Sequence, residues 1–100
     1  MSTYVSGFAP TVVDRSGSIT AGGTSQQVMA KNTARRYLVF QNVSDTAMYV
    51  NFGGAALVDT DSVKINAGGS LTFSDEWVPA DAVHVICATT GKKFVAKEGI

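Results

Sequence analysis

The sequence predicts an all-β domain: a small β-sandwich or jelly-roll-like fold of about eight short strands, in two similar halves, behind an extended N-terminal arm. Three observations predict it. Apolar residues recur with period two, or in short runs bounded by Gly, Asn, Asp and Ser, and no window sustains the helical spacing. Turn residues punctuate the chain every few positions, as in sandwiches and jelly rolls. The segment Ile19-Thr20-Ala21-Gly22-Gly23-Thr24 also returns as Ile65-Asn66-Ala67-Gly68-Gly69-Ser70. The same offset then runs to the chain end, setting Val39 on Val85, Phe40 on Ile86, Met48 on Phe94 and Gly53 on Gly99.

Residues 1–15 form the arm. They carry Tyr4, Val5, Phe8, Pro10, Val12 and Val13 but have no hairpin partner and no counterpart in the repeat. An apolar segment outside the internal symmetry must cover some surface, either its own sandwich or a neighbouring subunit reached by strand addition or groove filling. Residues 16–100 form one sandwich domain, with repeat halves at about 19–54 and 65–100. Strands are expected over 17–20, 25–30, 36–42, 47–52, 62–66, 70–74, 82–88 and 93–97. Between them, Ala21-Gly22-Gly23 and Ala67-Gly68-Gly69 read as tight hairpin turns whose glycines supply positive φ. Residues 42–46 and 89–92 are turns in equivalent places, and Gly53 to Asp61 is the longest connection, separating the halves.

Alternation assigns faces. Leu38 and Phe40 share one side of their strand, with Tyr37, Val39 and Gln41 on the other; Val83, Val85 and Cys87 oppose His84 and Ile86. Both strands are apolar on both faces, so they should be central and covered on each side. Leu71 and Phe73 should point inward. The expected core is Leu38, Phe40, Val50, Leu71, Phe73, Val85, Ile86 and Phe94.

Composition narrows the function classes. Net charge is formally zero and 16% of residues are charged, so no basic stripe for nucleic acid is expected. The basic pairs Arg35-Arg36 and Lys92-Lys93 each open a strand, where charge usually solvates an edge. No stretch approaches the ~20 apolar residues of a membrane span, and no signal-peptide pattern opens the chain, so folding in a reducing cytoplasm is expected. The single cysteine, Cys87, excludes an intramolecular disulfide and reads as a small buried hydrophobe.

Catalytic chemistry finds little footing. The one histidine, His84, lies three residues from Cys87 in a strand, so the two side chains face opposite ways and a nucleophile–base pair is disfavoured. A zinc site needs three or four N or S ligands and the chain supplies one of each. Asp59, Asp61, Asp75, Glu76 and Asp81 lack calcium-loop spacing, and no phosphate-binding glycine motif occurs. No enzyme, metal or cofactor is expected. Tyr37, Tyr49, Phe52 and Trp77 could line a sugar or peptide platform. Trp77, in the loop Asp75-Glu76-Trp77-Val78-Pro79, is the strongest of these; the competing reading is a plug for the open end of the sandwich.

The stretch 19–24, the run Asn32-Thr33-Ala34-Arg35-Arg36-Tyr37-Leu38-Val39-Phe40-Gln41-Asn42, the stretch 67–73 and the run 83–94 together resemble small virion structural proteins of tailed bacteriophages. Such modules occur as capsid decoration (cement) proteins and as β domains of other virion components. The resemblance spans about Gly17 to Glu98 and rests on turns and core strands. It implies a homo-oligomer, dimer or trimer, on the capsid surface of a virion, whose partners are the major capsid protein or other virion proteins, with no nucleic acid and no membrane. The partner-binding residues expected are Tyr4, Val5, Phe8, Val12 and Val13 of the arm, with Trp77. A tail, fibre or head–tail component, or a carbohydrate-binding attachment module, is the alternative.

Overall fold

The computed structural model describes residues 11–74 and 77–100. Among them the chain forms nine strands and no helix: β1 (Val12–Asp14), β2 (Gly17–Ser18), β3 (Gln26–Met29), β4 (Tyr37–Asn42), β5 (Met48–Phe52), β6 (Val63–Ile65), β7 (Ser70–Ser74), β8 (Val83–Cys87) and β9 (Lys93–Gly99). β2 to β9 fall on the eight expected positions within one or two residues at almost every boundary. β1 lies inside the expected arm.

The strands make two antiparallel sheets. One runs β1-β9-β4-β7, with β2 also on β9; the other runs β3-β8-β5-β6. From β2 onward every connection crosses between the sheets except β5 to β6, which is the interleaving of a jelly roll. Inward side chains of both sheets make one core, from Leu38, Phe40, Phe94 and Ala96 on one side to Met48, Val50, Val83, Val85 and Cys87 on the other. The rings of Phe40 and Phe94 stack with centroids 5.2 Å apart.

This topology corrects four expectations. The Gly22-Gly23 and Gly68-Gly69 turns are not hairpins but corners joining strands of opposite sheets. They still need a left-handed residue, and Gly23 and Gly68 both have φ of 78°. Secondly, the ungapped offset fails. Phe40 pairs with Ala96 and Leu71, whereas Val85 pairs with Val50 and Gln26. The approximate two-fold therefore sets Phe40, not Val39, on Val85. A shift of one residue in a strand reverses the face, and Val39 points outward while Val85 is fully buried. Hydrogen bonds follow the corrected correspondence: Gly23 N–H donates to the Cys87 carbonyl and Gly68 N–H to that of Asn42, both at 2.8 Å.

The third correction concerns coverage. β4 and β8 are central, but among the described residues β8 alone is covered outside. The loop 53–62 is tied to the residue before β3 where Ala56 N–H donates to Ser25 Oγ, at 2.9 Å. It is tied to β5 where Tyr49 Oη donates to Asp59, at 3.0 Å. It therefore crosses the strand between them and accounts for the burial of Ile86 on the outer face. No described segment crosses the outer side of β4 in this way, and Gln41 there is exposed. Finally, Leu71 and Phe73 point inward but are half-buried, because β7 ends its sheet.

Candidate interaction end of the sandwich

The two ends of the barrel-like sandwich differ in what they leave free. At one end four corners are knitted together by their own polar groups. Gly22 N–H donates to Thr90 Oγ1 at 2.8 Å, and Gly91 N–H donates to the Ile19 carbonyl at 2.8 Å. The fully buried Asn42 donates from Nδ2 to the carbonyls of Thr46 and Ile65, at 2.7 and 3.0 Å. Lys92 pairs with Asp45 at 2.7 Å, and this bond, with help from Thr46, holds the exposed Asp45 carboxyl below its usual range. A Cβ on Gly22 would stand 2.5 Å from the Ala88 carbonyl oxygen, so the corners pack backbone to backbone. Nearby, an open groove of about 430 Å³ runs beside Ser16–Ser18, Val43, Lys93 and Phe94.

The opposite end is built on a buried ion pair that the sequence reading missed. Arg35, expected to solvate an edge, has a side chain with no exposure and lies 2.8 Å from the equally buried Glu98. Its Nη1 donates to the carbonyls of Pro79 and Asp81 at 2.6 and 3.0 Å, and Nη2 donates to that of Ala30 at 2.9 Å. Arg15 donates to the second oxygen of Glu98 at 2.9 Å. Burial pushes the Glu98 pKa up, but the bonds from Arg35 and Arg15 and their charges outweigh it, so the carboxyl is held below its usual range. One guanidinium thus fastens the β3–β4 and β7–β8 loops to β9, and a second fastens the chain just after β1 to the same carboxylate. Such a signal was legible only in part, since an Arg opening a strand looks the same whether it turns in or out.

On this pinned base stands Trp77, 65% exposed. Its ring meets Phe73 edge-on at 5.1 Å, and Phe73 meets Phe52 in the same way at 5.6 Å. The aromatic row closes the gap between β7 and β5, yet its last member stays in solvent. Trp77 thus covers one side of the Phe73 ring and presents the rest of its indole to solvent. Tyr37 and Tyr49 do not join it: they lie on the outer faces of opposite sheets, so the four aromatics make no common platform.

The described part of the arm is a strand. β1 pairs with β9 through Val12↔Gly99, Val13↔Glu98 and Asp14↔Lys97. Only Arg15 and Ser16 separate it from β2 on the same neighbour, so β1 belongs to its own sandwich, one of the two surfaces the sequence left open, and its partner is the distant β9 and not a hairpin neighbour. Where the ladder breaks, Ser16 Oγ accepts the Ala96 N–H at 3.0 Å. Val12 is 59% exposed and Val13 half-buried. Tyr4, Val5 and Phe8 lie outside the described residues. Val12 nevertheless shares an end with Trp77: a row across the sheet runs from Val12 through Gly99 and Tyr37 to Ser74, three residues before Trp77. Leu57 and Val58, in the loop over β8, are exposed as well, at 48% and 47%.

His84 and Cys87 face opposite ways, Cys87 into the core and His84 outward. Nδ1 of His84 is buried with no hydrogen-bond partner among the described residues. Among the described residues no three His, Cys, Asp or Glu side chains gather as a metal site would require. Set against models of protein families, curated proteins and solved structures, the chain matches none.

Proposed function

We propose that the protein is a non-enzymatic virion structural component that decorates and stabilises a phage capsid through protein–protein contacts. The observation that carries a binding role is the end bearing Trp77. An indole 65% exposed, beside a stretch of chain that a buried guanidinium holds at Pro79, offers an apolar contact of the kind that anchors protein interfaces. Val12 lies at the same end, and the chain there continues into residues 1–10 with Tyr4, Val5 and Phe8. The resemblance of the turns and core strands to tailed-phage modules supplies the capsid setting. Decoration demands many modest contacts repeated by symmetry, and multivalency multiplies each of them.

Immunogold labelling of purified particles tests the setting: label over the head shell is expected, and label confined to the tail moves the protein to a tail or fibre role. The double variant Trp77→Ala/Val12→Ser, checked for native circular dichroism, should then fall off the particles. Full retention would place the contact elsewhere. Saturable quenching of Trp77 fluorescence by glycans, with no particle binding, would favour the attachment-module reading instead.

A further inference from the structure

An exposed sheet edge invites a foreign strand, and proteins guard edges with charge, proline, bulges or brevity. Three of the four edges here are guarded. β1 and β2 are interrupted at Arg15-Ser16 and carry Asp14, which is paired with Lys97 at 3.5 Å. β3 has a register shift between Gln27 and Met29. β6 is three residues long and carries Lys64. β7 has none of these protections. Its five residues, Ser70-Leu71-Thr72-Phe73-Ser74, pair with β4 in unbroken register and include no charge and no proline.

We infer that β7 is a self-pairing edge, at which a second copy of this chain adds antiparallel about a two-fold axis through Thr72. Backbone direction supports it. Asn42 N–H donates to the Gly69 carbonyl at 2.9 Å. Alternation along an antiparallel ladder then aims the N–H and C=O groups of Leu71 and Phe73 at β4, and those of Ser70, Thr72 and Ser74 away from it. The side chains are close to palindromic: hydroxyl, apolar, hydroxyl, apolar, hydroxyl. An axis at Thr72 sets Thr72 opposite its own copy, Ser70 opposite Ser74, and Leu71 opposite Phe73. The first two are hydroxyl pairs on the outer face; the third is an aliphatic–aromatic pair covering the two core residues that β7 leaves half-exposed. A contact of this kind is isologous and closes at two copies, and zero net charge leaves little repulsion between them.

Sedimentation equilibrium of the full chain across a concentration series tests it. A monomer–dimer equilibrium is expected for the native protein. Thr72→Lys places two like charges on the axis and should weaken it. Thr72→Pro removes an N–H that β4 does not use, so the fold survives while the dimer weakens more than about tenfold. Circular dichroism checks both variants, and Thr72→Lys carries the test if the proline variant does not fold. A native protein that stays monomeric, or a dimer indifferent to Thr72→Lys, overturns the inference. So does a dimer abolished by deleting residues 1–10 but unchanged by Thr72→Lys, which assigns the contact to the arm.

Discussion

Glu98 and Arg35 show how one buried pair ties distant segments together. Each is close to fully buried, and the guanidinium also satisfies three backbone carbonyls. Removing Arg35 leaves the buried Glu98 carboxylate with only the partly exposed Arg15 and takes the donor from three backbone carbonyls, so Arg35→Leu should cost about 3–5 kcal/mol at neutral pH, read by urea denaturation. Acid should act through Glu98. Its folded pKa is depressed below the usual 4.5, so as pH falls the unfolded chain takes up the proton first. The stability that the ionised carboxylate contributes is present above the usual glutamate range and is lost as pH drops through the depressed value. Glu98→Gln should be less stable than the native protein at neutral pH, and the gap should narrow below pH ~4. Parallel stability curves over that window would show that Glu98 is not the group titrating.

At the scale of elements, β1 decides where the arm begins. The sequence reading ended the arm at residue 15, but β1 forms a ladder with β9 and its neighbour Arg15 reaches Glu98. Truncations separate the two parts. Relative to a chain lacking residues 1–10, one lacking residues 1–14 loses a three-residue ladder and the half-buried Val13. Melting should fall by roughly 5–10 °C, as expected for a loss of about 1–2 kcal/mol in a domain of this size. Equal melting temperatures would mean that β1 adds nothing to its own sheet. The corners work similarly: the Gly22-Gly23 and Gly68-Gly69 turns look like hairpins in sequence, yet each hands the chain to the other sheet, and polar contacts such as Gly22 to Thr90, Gly91 to Ile19 and Asn42 to Ile65 hold the corners in place.

For the whole molecule, the jelly-roll order makes nearly every pairing non-local. β1 meets β9, and Arg15 meets Glu98 across 83 positions. Closing such loops precedes the contacts that reward it, so refolding should take on the order of milliseconds to seconds. Stopped-flow fluorescence of the single tryptophan, Trp77, measures this; microsecond refolding would contradict so non-local a nucleus.

The sequence by itself determined the class of fold, the location of β2 to β9, and most of the core. Period-two alternation and turn residues are local signals, and Leu38, Phe40, Val50, Val85 and Phe94 are buried as they require. Trp77 also stood out, from its place in a polar loop. Tertiary structure alone decided the rest. Val12–Asp14 has too short an apolar pattern to announce a strand, and its partner lies at the far end of the chain. Glycine fixes the handedness of a turn but not which sheet receives the next strand, so corners and hairpins look alike. An ungapped repeat cannot register a one-residue slip, which turns Val39 outward and Val85 inward. Arg35 and Glu98 look like surface charges until β9 lies beside β4, because only the assembled sheets exclude the water that would otherwise solvate them.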